Sequence, residues 1–326
     1  MLRPKHSAPF ILFYCVVVAT GIFTLSNEIQ VWYALDDVGL KPHSRDRVVV
    51  SMTTFSDRIM VTGMYAIRSV LSQKYDRFII SIPMHSRKPP VNTSCAHMHD
   101  CIAASPPHNA SEADVLSFLG QELGSFTLVA SNMQTRTYEN AAHAMVVQFL
   151  PLDYGPATKL LGALLIERDP STVIVTVDDD IVYDPNLIDV LTTYIPLDSA
   201  LCTACQASNP WANSSDLLMI HDGTWLRWLW RQNAKKCPGW LVGWAGVAYR
   251  VSFFGPDVFN VTMPHGCFYN DDVWISGYLR RKGVGLLVMP GIKGGIAYRH
   301  PTLSLTVRAN TQEINMDPCI QFWQPT

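Results

Sequence analysis

Two acidic groups stand out by type and position. Asp178-Asp179-Asp180 directly follow the run Thr172 to Val177 (TVIVTV), and Asp271-Asp272 open the helical stretch VWISGYLRR. Three adjacent carboxylates repel one another and raise one another's pKa unless a cation or hydrogen-bond donors compensate. A solvated turn that caps the helix near Pro185 would need only one of them. A hard divalent ion accounts for the charge better. Mg²⁺ or Mn²⁺ takes oxygen ligands, often one or two carboxylates plus substrate phosphates. Asp271-Asp272 have a simpler alternative, because acids at a helix start complement its dipole, which lowers their pKa. A carboxylate there is also placed to act as a general base. Two acids before Trp274 favour the base over the cap.

The elements that must hold these groups alternate between strand and helix. Arg47 to Met52 (RVVVSM) suits a buried strand. Ser56 is placed to cap a helix to Gln73, with Ile59, Met60, Met64, Ile67, Val70 and Leu71 near helical period. Phe78 to Ile82 reads as a second strand, ended by Pro83. Residues 84–111 read as a long loop. Ser111-x-x-Asp114 is a capping box for a helix to Gln121, and Phe126 to Ala130 a third strand. Tyr154-Gly155-Pro156 starts a helix that carries Lys159, and Arg168-Asp169-Pro170 stops it. Thr172 to Val177 is apolar on both faces, as expected of a central parallel strand. This order predicts an α/β fold with a mostly parallel central sheet flanked by helices. Ligands bind such sheets beyond the carboxyl ends of the strands, where the three aspartates fall.

Composition narrows the classes. The chain has 326 residues, 48% hydrophobic and 16% charged, which excludes wholesale disorder. A net charge of −2 gives no global pull on nucleic acid, so no nucleic-acid partner is expected. No repeat or low-complexity stretch is present. Ala8 to Leu25 carries no charged side chain; Arg3 and Lys5 precede it, and Glu28, Asp36 and Asp37 follow. That pattern reads as an uncleaved signal anchor with a cytosolic N-terminus, in preference to a cleaved signal peptide. Sequons at Asn92, Asn109, Asn213 and Asn260 agree with a lumenal chain. So do the cysteines: seven of the eight lie after the anchor, where disulfides are the default. The connectivity is open, with Cys95–Cys101 the first pair to consider. Cys202-x-x-Cys205 has no second metal-binding pair, so a structural role is expected rather than zinc. The expected organisation begins with a cytosolic tail (1–7), anchor (8–25) and stem (26–45).

TVIVTVDDDIVYDPNLI resembles the DxD region of GT-A-fold glycosyltransferases. YGPATKLLGALLIERDPS resembles the helix before that strand, and SMTTFSDRI the nucleotide-binding loop. LVGWAGVAYR followed by NDDVWISGYLRRKG resembles the acceptor and catalytic-base region. The resemblance spans roughly residues 46–305 and lies in the order of the motifs. It implies a catalytic domain (46–305) and a C-terminal extension (306–326). It also implies a GT-A-like fold and transfer of a sugar from a nucleotide-sugar, with UDP the expected nucleotide. Asp180 would ligate Mn²⁺ or Mg²⁺, and Asp178 would face the metal's waters or the ribose, with Asp179 assisting. Thr53 and Arg58 would lie near the nucleotide, and Lys159 near the donor or on the helix surface. Asp272 would be the acceptor's general base, with Asp271 the alternative, because the family often has Glu-Asp here. His300 would be a further metal ligand or a loop hydrogen-bonder. An inverting reaction is expected because a base candidate exists. The acceptor would be a glycan, glycoprotein or glycolipid, and the location the Golgi or ER membrane.

The chemistry stands without the family name. A metal neutralises the charge of a departing diphosphate, and a carboxylate base activates an acceptor hydroxyl. Trp240 and Trp244 are candidates for a sugar platform or for the core, and Trp225, Trp228 and Trp230 read as packing or an acceptor- or membrane-facing lip. Two other classes remain as alternatives. One is a non-catalytic partner or chaperone of the same fold. The other is a phosphoryl-transfer enzyme of the haloacid dehalogenase type, disfavoured by Val182 where that motif carries Thr.

Overall fold

β-Branched runs with both faces apolar build the centre of the protein. The computed structural model describes residues 37–39, 46–84, 110–132, 135–208, 217–221, 233–262, 264–289, 295–297 and 316–323. The strands in chain order are β1 (Asp37–Gly39), β2 (Val48–Thr53), β3 (Arg77–Pro83), β4 (Thr127–Ser131), β5 (Arg136–Asn140), β6 (Met145–Leu150), β7 (Val173–Val177), β8 (Ile181–Tyr183), β9 (Ser199–Cys202), β10 (Ala204–Ser208), β11 (Leu217–His221), β12 (Asn233–Lys236), β13 (Trp240–Leu241), β14 (Val247–Arg250), β15 (Gly285–Val288) and β16 (Gly295–Ala297). The main helices are α1 (Met64–Leu71), α2 (Glu112–Leu123), α3 (Thr158–Ile166), α4 (Leu187–Tyr194), α5 (Asp271–Arg281) and α6 (Asp317–Trp323).

Among the described residues the main sheet runs β1-β12-β15-β9-β14-β7-β2-β3-β6-β5-β4. Its centre, β7-β2-β3-β6, is parallel, as is the β9-β15 pair. The flanks are antiparallel, including β14 against β7. The expected α/β class and parallel centre are present; the antiparallel flanks were not foreseen. The chain moves outward from β2 to β3 and β6, then returns to β7 on β2's other side. That reversal makes the crevice between β2 and β7 a topological switch point, the place where such sheets bind ligands.

Period-two alternation sends each central strand to two cores. Val48, Val50 and Met52 of β2 and Val173, Val175 and Val177 of β7 join α1, α2 and α4 on one face. Val49, Ile79, Val146 and Ile174 join α3 and α5 on the other. Each such fully buried aliphatic side chain contributes about 1.5–3 kcal/mol. The second face also carries buried polar residues, two of which hydrogen-bond to α3 carbonyls. Ser51 Oγ donates to the Lys159 carbonyl at 2.5 Å, and Gln148 Nε2 donates to Ser81 Oγ and the Gly162 carbonyl, each at 2.8 Å. These bonds pin α3 on the sheet.

Several expectations change in detail. Ser56 does not cap a helix: the residue at the cap is Phe55, and a short turn Ser56–Arg58 passes through a π-helical turn, Ile59–Gly63, into α1. The capping box at Ser111 forms as expected. The third strand exists as β4, an exposed edge, but β5 and β6 were missed. β6 carries Gln148 inside an apolar run, and only its tertiary partners make that burial affordable. Within the expected stem, β1 pairs with β12 at the sheet's edge. Within the expected C-terminal extension, α6 docks on α5, with Arg281 4.1 Å from the Trp323 ring centre. The Cys267–Cys319 disulfide fastens that helix, and Cys205–Cys237 is a second bridge. Cys202 is a buried thiol, so the CxxC residues do not pair with each other. Cys95, Cys101, the expected anchor 8–25, Trp225, Trp228, Trp230 and the sequons at Asn92, Asn109 and Asn213 lie outside the described residues. Asn260 is exposed. Among the described residues no helix is long and apolar enough to cross a membrane.

Candidate active site

A cleft of about 710 Å³, its open mouth included, lies at the switch point. Thr53, Arg58, Lys159, Asp178, Asp179, Asp180, Asp271 and Asp272 all line it. Eight of the nine candidate residues are thus brought together from four separate chain segments. The ninth, His300, lies outside the described residues. β16 pairs antiparallel with β8, Ala297 opposite Ile181, so the described segment 295–297 runs beside the strand that follows the aspartates.

Strand register sets the first wall. Met52 pairs with Val177, which brings the residues after β2 level with the aspartates after β7. Thr54 Oγ1 donates to Asp179 Oδ2 at 2.6 Å. Arg58, on the turn after β2, reaches Asp179 at 2.7 Å and Asp180 at 3.0 Å. Asp179 is therefore locked inward with a side chain only 5% exposed, whereas Asp178 and Asp180 are 28% and 27% exposed. Asp179, expected to assist at the nucleotide, lines the cleft while Thr54 and Arg58 hold its carboxylate. The Asp178 amide donates to the Tyr183 hydroxyl at 2.5 Å, which fixes the turn. Thr53 lines the cleft while its hydroxyl donates to the Ser81 carbonyl at 3.0 Å.

The second wall comes from the start of α5. Both acids there reach out of their own helix. Asp271 Oδ2 lies 3.0 Å from Lys159 Nζ, an ion-pair distance without hydrogen-bond alignment. Asp272 Oδ1 accepts the Gly243 N–H at 2.9 Å. Lys159 Nζ also donates to Asp178 Oδ1 at 2.7 Å, so one buried ammonium joins the walls. The expectation that Lys159 sits on a helix surface is excluded, since the residue is 4% exposed. Gly155, at φ +64°, brings the turn before α3 against the 265–269 segment; a Cβ there would lie 2.5 Å from the Phe268 carbonyl. This contact helps to hold Tyr269 at the cleft.

Charge is unevenly matched, with five carboxylates against two cations along the lining. Burial and then Asp178 push Asp180 up to about 6, against the pull of Arg58. Burial and then Asp271 push Asp272 up to about 8, with Lys159 opposing. Burial likewise raises Asp271 and Asp179 despite their cationic partners. Burial would lower Lys159, but Asp178, Asp271 and Asp272 outweigh it and hold the ammonium well above its ordinary value.

This excess fits a divalent cation at Asp178 and Asp180, the two triplet carboxylates open to the cleft. No cluster of three His, Cys, Asp or Glu side chains closes a metal cage among the described residues. A cation here would complete its shell with water and ligand oxygens, as Mg²⁺ and Mn²⁺ do beside phosphates.

The structure also separates the tryptophans. Trp240 is a core residue, while Trp244 lines the cleft. Lining residues that sequence reasoning missed are Thr54, Phe55, Gly155, Pro156 and Tyr269. Thr54 and Phe55 adjoin Thr53, and Tyr269 lies two residues before Asp271, so proximity to a motif was the one available signal.

No protein-family model matches this sequence, and no curated protein matches it. Solved structures similar in fold include the following two. One is the mannosyltransferase PcManGT from Pyrobaculum calidifontis, in complex with GDP-Man and Mn²⁺, with a TM-score of 0.42 and 12% identity over 85% of this chain and 66% of that one. The other is 4-diphosphocytidyl-2C-methyl-D-erythritol synthase from Anaerococcus prevotii, with a TM-score of 0.38 and 9% identity over 86% and 97%. At such identities neither neighbour assigns an activity to this chain.

Proposed function

We propose that this protein is a metal-dependent glycosyltransferase that moves a sugar from a nucleotide-sugar to an acceptor hydroxyl. The observation that carries the reading is the meeting of Asp178–Asp180 and Asp271–Asp272 in one cleft at the carboxyl ends of β2 and β7. Asp178 and Asp180 would hold Mn²⁺ or Mg²⁺. The cation supplies charge neutralisation for the departing diphosphate. Thr53 and Arg58 lie where a nucleotide would enter, and Arg58 keeps the aspartate turn in shape. Asp272, with Oδ1 held by Gly243 N–H, has a second oxygen to take the acceptor's proton. Its raised pKa makes it a stronger base than an ordinary carboxylate. A base on this wall suits an inverting displacement, and Trp244 and Tyr269 offer apolar faces to a sugar ring.

UDP as the nucleotide and a glycan, glycoprotein or glycolipid as the acceptor follow from the motif resemblance. We place the protein in the Golgi or ER membrane, anchored by Ala8 to Leu25 with the catalytic domain lumenal. The two disulfides agree with an oxidising lumen.

The test is a nucleotide-sugar panel offered to the full-length protein with Mn²⁺ and with EDTA. Mn²⁺-dependent turnover of one donor is expected, with loss of at least about 100-fold in Asp180→Asn. A folded protein that binds no donor would overturn the transferase reading and favour a non-catalytic partner.

A further inference from the structure

We propose that Lys159 is a positioning residue. Its one ammonium ties the strand-end carboxylate Asp178 to the helix-start carboxylate Asp271, and so leaves Asp272 as the carboxylate that meets the acceptor. The inference rests on the transferase reading above and divides the labour of its acidic pair.

Geometry carries it. Lys159 Nζ stands 2.7 Å from Asp178 Oδ1 and 3.0 Å from Asp271 Oδ2. Lys159 and Asp271 are 4% and 6% exposed, so water has little room to replace either partner. The lysine's backbone is fixed by Ser51 Oγ on its carbonyl, which sets where the side chain can reach. Gly243 supplies a separate observation. A Cβ at that position would lie 2.8 Å from Lys159 Nζ and 2.5 Å from Asp272 Oδ1. The ammonium and Asp272 therefore crowd the same side of one glycine, while Asp272 takes its hydrogen bond from that glycine's amide.

The two acids of the pair are thus held differently. Asp271 is committed to a buried cation and, among the described residues, Asp272 to a single neutral donor. Only Asp272 keeps a carboxylate free of a cationic partner at hydrogen-bond distance among the described residues. Without Lys159, Asp271 would face Asp178 with no charge between them. Like charges so placed repel, and the start of α5 would move to relieve them. A shift of about 1 Å in a reacting group costs on the order of 100-fold in rate.

The experiment uses the full-length protein, Mn²⁺, and the donor that the panel identifies. Lys159→Met keeps the stem length and removes the charge. Its kcat is expected to fall about 100-fold while donor KM stays within about threefold. Mn²⁺ affinity by calorimetry should not fall, since the lost group is a cation. Asp271→Asn breaks the same bridge from the other side and should give a similar loss in kcat. If Lys159 acts through Asp271, the double variant is no worse than the more impaired single variant. Wild-type kcat in either single variant, losses that multiply in the double, or a donor KM that rises in step with the loss in rate would overturn the proposal. Should Lys159→Met fail to fold, the kcat and KM of Asp271→Asn decide alone. Failure of the transferase reading is seen separately, as a wild-type protein with neither Mn²⁺ binding nor donor turnover.

Discussion

Gly243→Ala is the most informative small change at the cleft. The added Cβ would lie 2.5 Å from Asp272 Oδ1, and contacts under 3.0 Å essentially do not occur. Asp272 must therefore retreat by at least about 0.5 Å, and by about 0.9 Å to reach an ordinary 3.4 Å contact. That retreat stretches the 2.9 Å hydrogen bond from Gly243 N–H and moves the base. A misplacement approaching 1 Å costs on the order of 100-fold in kcat. Stability should respond far less. Losing one hydrogen bond costs about 0.5–1.5 kcal/mol. The backbone here is not left-handed, so alanine returns about 0.4–1 kcal/mol through the unfolded chain. The net is within about 1 kcal/mol, or roughly 2–4 °C in Tm. Turnover of the identified donor with Mn²⁺, beside a thermal melt, measures both. Turnover within threefold of wild type would refute the role given to Asp272. A Tm loss beyond about 10 °C would show that the substitution acts on the fold instead.

Two further outcomes are expected. Arg58→Met leaves Asp179 buried with its cation gone, a loss of about 3–5 kcal/mol, and Tm should fall on the order of 10 °C; an unchanged melt would contradict the anchoring role. In EDTA, Tm should decline as pH rises. Asp272 titrates near 3.8 when unfolded and near 8 when folded, so the folded state binds the extra proton between these values. Its contribution is fully present below about pH 4 and is lost as pH climbs through about 8. Asp272→Asn should flatten the decline between pH 5 and 8, and an identical slope in the variant would count against the raised pKa.

Much of this arrangement was legible in the chain. β-Branched runs such as TVIVTV have one good use, a strand buried on both faces, and β7 is that strand. The Ser111 capping box and the Pro156 helix start are local signals, satisfied within a few residues, and both formed. The acidic clusters were visible because adjacent like charges demand an explanation wherever they occur.

What remained hidden depends on partners distant in sequence. Gln148 sits inside an apolar run, and its burial rests on Ser81 and Gly162 accepting its hydrogen bonds. Cys205 finds Cys237 rather than Cys202, and Cys267 finds Cys319, because Cα separation and not spacing in sequence selects a disulfide. Trp240 and Trp244 are alike as residues, yet one is core and the other faces the cleft. Asp179 was expected only to assist its neighbours in the triplet, and nothing in the sequence showed that Arg58 and Thr54 turn it inward. Lys159 is the sharpest case. As a residue on a helix it was ambiguous between surface and site. Burial among three carboxylates, supplied by β7 and α5, holds its charge and gives it a place between the two acidic walls. Sequence thus determined which groups carry charge and which strongly patterned segments, such as β7 and α2, form strands and helices, because those follow from local chemistry. Folding decided which charges face each other, because Coulomb attraction and desolvation act through space and not along the chain.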